Sequence, residues 1–274
     1  MLQIQPQYSN RDVWEALAQQ EALNYEVLEL SFPAVMDAPF FLFGTAVQKY
    51  SLTSTPEWRT DAERWYAACG RVNSIHGAFI DLNPASNDPL IREVSRKRCR
   101  QSCETAQKLG AKYLVLHGGA FPFLDSDSYV EPWAEASAEF YSSLAAEYDL
   151  NICVENAQDI APLSLRRMME KVTDSRVCIC LDFGHVNYSR APMEEWFDQL
   201  GPWIGYLHLS DNTGIYDNHI AMGTGTVDWA KADQLWRGLG ERAHDIPMTF
   251  EVGDISAIET SLAFLRQHHY FGVE

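Results

Sequence analysis

Along this chain, short apolar runs end in a histidine or a carboxylate, and each is followed by an amphipathic stretch. Runs rich in β-branched and aromatic residues read as buried parallel strands, and stretches with apolar residues three and four apart read as helices packed beside them. On this basis strands are predicted over 2–5, 25–32, 72–79, 113–119, 151–156, 177–184, 204–209 and 247–252. Helices are predicted over 10–22, 57–70, 88–110, 131–148, 163–172, 191–200, 228–239 and 256–268, with Asn10 and Asp228 opening two of them as caps. The helix over 88–110 carries Arg92, Arg96, Lys97 and Arg100 on what reads as a solvated face. Eight strand–helix beats predict an α/β fold, a (β/α)8 TIM barrel occupying residues 1–274 as a single domain. A doubly wound open sheet is the competing architecture, but no Gly-x-Gly-x-x-Gly turn follows the first strand.

Side-chain alternation along a strand sharpens this picture. Glu155 shares a face with Cys153, His117 with Val115, Asp182 with Cys180, and His208 with Tyr206. If Ile152, Val154, Leu114, Leu116, Ile179, Leu181, Leu207 and Leu209 pack against helices, the polar set points into the barrel. It also lies late in each strand, at the end where barrel enzymes keep their chemistry. The inward set is then His76, His117, Glu155, Asp182, His185, His208, Asp217, His219 and Glu251. A lone buried histidine is ordinarily a hydrogen-bonded core residue. Carboxylates gathered in one interior would repel one another, protonate or require cations, and a divalent metal removes that conflict.

Composition then narrows the function. With 46% hydrophobic residues the chain can build a large core. It has no apolar run long enough to span a bilayer and no basic region leading into an apolar segment at its start, so a soluble, cytoplasmic protein with no membrane contact is expected. The six cysteines form no Cys-x-x-Cys pattern, and Cys178 and Cys180, on one strand face, read as small buried hydrophobes. A net charge of −17 argues against nucleic acid as the main partner. The loops predicted to follow strands three to eight contain Asp81, Asp88, Asp125, Asp127, Asp159, Asp211, Asp217 and Asp254, against Arg190 as the basic residue. The loop over 33–56, with Phe40, Phe41 and Phe43, is long enough to be a lid, a binding loop or an oligomer contact, which leaves a homo-oligomer open. Those rings, with Phe121 and Phe123, are candidates for a water-excluding rim, or equally for packing or a dimer contact. The turn Gly223-Thr-Gly225 reads as an anion-binding backbone or as a simple tight loop.

The phrases Val154-Glu155-Asn156, Leu181-Asp182-Phe183-Gly184-His185, Leu207-His208-Leu209-Ser210-Asp211-Asn212 and Asp217-Asn218-His219-Ile220-Ala221-Met222-Gly223-Thr224-Gly225 resemble the xylose isomerase-like barrel superfamily. The resemblance runs through nearly the whole chain in order. It implies one of two enzyme classes. In the ketose 3-epimerase branch, one Mn²⁺, Mg²⁺ or Co²⁺ is held by two Glu, one Asp and one His, which match Glu155, Asp182, His208 and Glu251. Glu155 and Glu251 would then be the catalytic pair, one removing a proton beside the carbonyl and the other returning it, with the ion stabilising the enediolate. His185, with His117 and Asn156, would contact the substrate, a small polyhydroxy carbonyl compound with or without phosphate. In the endonuclease IV branch of AP endonucleases, three Zn²⁺ ions use all nine positions, adding His76, His117, His185, Asp217 and His219 to the metal set. The expectation is therefore one to three divalent ions (Zn, Mn, Mg or Co) and a sugar or sugar-phosphate isomerase or epimerase. A zinc phosphodiesterase and a barrel that binds metal or ligand without turnover are the alternatives.

Overall fold

The computed structural model describes residues 4–8, 28–31, 72–79, 81–252 and 255–273. Parallel pairing joins β1 (Ile4–Tyr8), β2 (Leu28–Ser31), β3 (Val72–His76), β4 (Tyr113–His117), β5 (Asn151–Glu155), β6 (Val177–Asp182), β7 (Ile204–Leu209) and β8 (Met248–Phe250) in sequence order, and β8 pairs back onto β1 to close the ring. The protein is an α/β barrel. Closure leaves no open sheet edge in the ring, and it forces one face of every strand inward.

Which residues face inward follows the alternation. Leu114, Leu116, Ile152, Val154, Ile179, Leu181, Leu207 and Leu209 are buried in the outer core with Trp133, Tyr141, Leu144, Trp196 and Trp236 of the surrounding helices. Val115, Cys153, Cys180 and Tyr206 form a separate cluster inside the ring. The two apolar sets never mix, because one residue of register turns a side chain to the opposite face. Beneath the barrel mouth, the Tyr206 hydroxyl lies 2.7 Å from Ser74 Oγ on β3 and 2.7 Å from Thr249 Oγ1 on β8, tying three strands through one buried group.

Seven helices are described. They are α1 (Pro89–Leu109), α2 (Asp127–Tyr148), α3 (Leu163–Met169), α4 (Phe183–Tyr188), α5 (Met193–Leu200), α6 (Trp229–Gly238) and α7 (Ile255–His268). Asp88 caps α1 by accepting from the Leu90 and Ile91 backbone N–H groups, and Asp228 caps α6 through the Lys231 N–H. Gly110 closes α1 in the left-handed conformation at φ 70°, where other residues are strained. No helix among the described residues is long and apolar enough to cross a membrane.

Several expected boundaries shift. β1 runs on to Tyr8, past the expected end at 5, and β3 stops at His76 rather than 79. α2 begins at Asp127, four residues earlier than expected, carrying Pro132 within its second turn. β6 stops at Asp182, and the short helix α4, absent from the sequence reading, takes up 183–188. β8 ends at Phe250, which puts Glu251 one residue past the strand. Arg96 and Arg100 are only half-solvated: their guanidinium carbons lie 4.8 and 5.4 Å from the Phe140 ring centre. The predicted helices over 10–22 and 57–70 and the loop with Phe40, Phe41 and Phe43 lie outside the described residues.

Removing the shared hydroxyl tests the inner network. Tyr206→Phe is expected to lower stability by about 1–3 kcal/mol in urea denaturation, because the Ser74 and Thr249 hydroxyls lose a buried partner. An unchanged midpoint would show that this hub contributes nothing.

Candidate metal centre at the barrel mouth

Each strand from β3 to β8 delivers a ligand-type side chain to one end of the ring. His76, His117, Glu155 and Asp182 are the last residues of β3, β4, β5 and β6; His208 is the penultimate residue of β7; Glu251 follows β8. Register sets their heights, since His117 pairs with Glu155 and Asp182 pairs with His208. His185 arrives differently. Asp182 is both the end of β6 and the N-cap of α4, accepting the His185 backbone N–H at 2.6 Å, so the helix lifts the His185 ring one turn above the strand end. Gly184 makes this possible, because a Cβ there would collide with the Ser210 hydroxyl and press on the Asp182 carboxylate.

Asp217 and His219 come from the loop after β7, which is held by one buried carboxylate. Asp211 accepts from the backbone N–H groups of Asn212, Gly223 and Val227 and from the Trp229 indole at 2.9–3.1 Å. The Gly223-Thr-Gly225 turn therefore directs two of its neighbouring N–H groups at Asp211 rather than at a bound anion. Gly225 is required for this approach, since a Cβ would overlap the Asp211 carboxylate. His219 is further fixed by Nδ1, 2.9 Å from the Glu251 carbonyl, and takes a backbone φ of 46°.

All nine residues predicted to face inward meet here, in three adjacent groups of which the first two share Glu155. His76, His117 and Glu155 form one; Glu155, Asp182, His208 and Glu251 a second; His185, Asp217 and His219 a third. Within each group the candidate donor atoms lie within 4.8 Å of one another. Glu155 joins two groups. Its Oε2 is 3.2 Å from His76 Nε2 and 3.4 Å from His117 Nε2, while its Oε1 is 3.0 Å from His185 Nδ1 and 3.5 Å from His208 Nδ1. His208 Nδ1 is 2.9 Å from Glu251 Oε2, and Asp217 Oδ2 is 3.3 and 3.0 Å from His185 and His219 Nε2. Asp217 is the outermost, with its side chain 40% exposed against 0% for Glu155, Asp182 and His208.

These residues fit divalent ions on three physical grounds. First, His76 Nδ1 lies 2.9 Å from the Gly77 carbonyl and His219 Nδ1 lies 2.9 Å from that of Glu251, contacts that fix Nδ1 as the donor. The opposite nitrogens then aim lone pairs at carboxylates, which is favourable only with a proton or a cation between them. Second, Glu155 Oε1, Asp182 Oδ2, His185 Nδ1 and Glu251 Oε2 are buried without a well-directed hydrogen bond, a state that natural interiors rarely leave uncompensated. Third, the charges conflict. Burial, together with repulsion from Glu251 and Glu155, pushes Asp182 up to about 7 against the attraction of His185 and His208. Burial also works to raise Glu155, yet His208, His117 and His185 hold it well below the usual carboxylate range. Burial works against a charged His219, but Glu251 and Asp217 raise it to about 9. A resident cation would relieve all three.

Asn156, expected to contact substrate, is placed elsewhere. It is fully buried, its Oδ1 accepts from the Asp182 N–H at 2.7 Å and its Nδ2 donates to the Asp182 carbonyl at 3.2 Å. It latches β5 to β6. His117 and His185 do border the centre, with side chains 17% and 5% exposed.

Around the mouth, Arg190 is the Lys or Arg contributed by the described loops after β3–β8, and its guanidinium lies over Phe123 at 5.1 Å. The acidic residues are less free than the sequence implies. Asp88 is a helix cap, Asp211 holds its loop, and burial raises Asp159 to about 7. Asp254 lies outside the described residues. Phe121 and Phe123 are 59% and 62% exposed, so neither is core packing.

The model of one protein family, the xylose isomerase-like TIM barrel, matches residues 22–268. The chain belongs to this family. Among curated proteins, this xylose isomerase-like barrel is 28% identical over 177 residues to the uncharacterized protein MJ1311 of Methanocaldococcus jannaschii, covering 61% of the chain and 60% of that protein. It is 24% identical over 213 residues to a probable endonuclease 4 of Mycoplasmoides gallisepticum, covering 69% of each. Among solved structures, a D-tagatose 3-epimerase-like protein superposes with a TM-score of 0.73 at 22% identity, covering 97% of both chains. That likeness is one of fold.

The loop clamp gives a direct test. Asp211→Ala is expected to leave four donors without their buried acceptor, to lower the melting temperature by several degrees and to expose 212–228 to limited proteolysis. Wild-type resistance in that segment would show that the clamp does not order it.

Proposed function

We propose that this barrel is a metal-dependent isomerase or epimerase acting on a sugar or sugar phosphate. The observation that carries the reading is the group Glu155, Asp182, His208 and Glu251, converging within 4.8 Å at a mouth to which the described loops contribute Arg190 as their Lys or Arg. Three carboxylates and one imidazole form a largely oxygen-donor set for a divalent ion, while the histidine-rich groups on either side suit zinc. A bound divalent ion would polarise a substrate carbonyl and the adjacent hydroxyl and stabilise the negative charge that develops as the intervening C–H is deprotonated.

The chain's own residues supply the proton transfers. Glu155 and Glu251 flank His208 Nδ1 at 3.5 and 2.9 Å, and each keeps one oxygen without a well-directed hydrogen bond. Two carboxylates on one substrate carbon can remove a proton from one side and return one to the other. Their exposures differ, 0% for Glu155 and 13% for Glu251, so Glu251 is the member that exchanges its proton with solvent and Glu155 the one that preserves it. His185, set above the strand ends by α4, donates to substrate oxygens, and His117 borders the same space. The scarcity of Lys and Arg in the described loops after β3–β8 favours a small polyhydroxy carbonyl substrate over a nucleic-acid backbone, which needs several phosphate-neutralising side chains.

A second reading has one observation in its favour. The groups His76–His117–Glu155 and His185–Asp217–His219 add room for two further ions, and a multi-zinc centre suits phosphodiester hydrolysis by activated water.

Proton chemistry separates these readings. Elemental analysis is expected to give one to three divalent ions per chain. The loaded protein is expected to incorporate solvent deuterium into one of a panel of ketoses and ketose phosphates. Glu155→Gln and Glu251→Gln should each suppress incorporation by about 10²–10⁴-fold, with metal content measured in each variant. Cleavage of abasic DNA without exchange on any sugar would overturn the isomerase reading for the hydrolase. Metal binding with neither activity would favour a non-catalytic barrel.

A further inference from the structure

The inner wall of the barrel holds three sulfurs, and they occupy two levels. Cys153 and Cys178 are register partners on β5 and β6, with Sγ atoms 3.5 Å apart. Cys180 lies one step higher, paired in register with Glu155 on one side and with Tyr206 on the other. It is fully buried and shares its face with Asp182, two residues on. Its sulfur, a donor atom of Glu155 and a donor atom of His208 lie within 4.8 Å of one another. The side of Cys180 toward the mouth thus meets an acid and an imidazole, while the side away from it packs on Val115, Cys153 and Tyr206.

We propose that Cys180 is a sulfur ligand to the ion held by Glu155, Asp182, His208 and Glu251, entering from inside the barrel and biasing the centre toward thiophilic ions. This rests on the metal-centre reading above. The other four donors comprise three carboxylates and one imidazole, a set that accepts Mg²⁺ and Mn²⁺ as readily as Zn²⁺; one sulfur tips that balance toward Zn²⁺, Co²⁺ or Cd²⁺. Donors at about 2.0–2.3 Å on opposite sides of one ion lie roughly 4.0–4.6 Å apart. The Cys180 sulfur lies within 4.8 Å of the Glu155 and His208 donors but does not group with those of Asp182 and Glu251, so closure on the shared ion needs the thiol to turn toward the mouth. Entry from inside leaves the mouth-facing side of the ion to substrate.

The test uses the full chain stripped of metal and titrated with Co²⁺ under reducing, anaerobic conditions. The wild type is expected to show a near-ultraviolet sulfur-to-cobalt charge-transfer band beside the visible d–d bands. Cys180→Ser should lose that band while still binding cobalt, and Cys178→Ser should keep it. In competition titrations, Cys180→Ser should shift the Zn²⁺-over-Mn²⁺ preference toward Mn²⁺ by about tenfold or more. Cys180→Ala, with melting followed by circular dichroism, is the second variant should the serine hydroxyl destabilise the interior. X-ray absorption on zinc-loaded wild type is independent of any variant, and a sulfur scatterer at about 2.3 Å is expected. Cobalt bound with d–d bands alone, and only nitrogen and oxygen around zinc, would overturn the role of Cys180 and leave the metal centre standing. No binding of either ion would overturn both.

Discussion

Three buried carboxylates in one small volume are the constraint around which the rest of the molecule is arranged. Glu155, Asp182 and Glu251 sit together with His208 at the end of a closed barrel, Glu155 and Asp182 wholly out of reach of water and Glu251 mostly so. Burying one such charge is costly, and burying three side by side is tolerable only with opposing charge among them. The histidines that surround them, His76, His117, His185 and His219, offer lone pairs as readily as protons. That is why the cluster is coherent as a cation site and strained as a purely protic network.

The barrel meets this constraint through backbone geometry. Parallel strands in fixed register bring His117 level with Glu155 and Asp182 level with His208. The supports around the donors are rigid and polar: Asn156 grips both backbone groups of Asp182, Asp182 starts the helix that carries His185, and Asp211 gathers the loop that carries Asp217 and His219. None of these three supports needs to touch substrate. They hold donor atoms where a ligand sphere can close without ordering the chain at the moment of binding.

Below the centre the interior becomes softer and less charged, passing from Cys180 to the Tyr206 hydroxyl network and the Cys153–Cys178 pair. Above it, the described loops carry Arg190 as their Lys or Arg and expose Phe121 and Phe123. The centre thus passes from carboxylate and imidazole within the barrel to exposed aromatic surface in the loop after β4.

The alternation of residues along each strand was sufficient to determine the fold class and the inward set. The period-two pattern around Cys153–Glu155 and Cys180–Asp182 admits one assignment of faces once Val154 and Leu181 pack on helices. Six of the nine inward residues, His76, His117, Glu155, Asp182, His208 and Glu251, were legible for the same reason, each polar at or just past the end of an apolar run, whereas His185, Asp217 and His219 lie in the segments that follow. Local pattern could not show how those residues divide. That Glu155 is shared between groups, that Asp182 also caps α4, and that Asn156 pairs with the Asp182 backbone all depend on which strand ends lie side by side. Asp211 looked like one more acidic loop residue, because its four donors are spread over Asn212 to Trp229 and meet only when that loop folds back. Sequence spacing specified the kinds of donor atoms; barrel closure, which brings residues more than a hundred positions apart to one level, decided their partners.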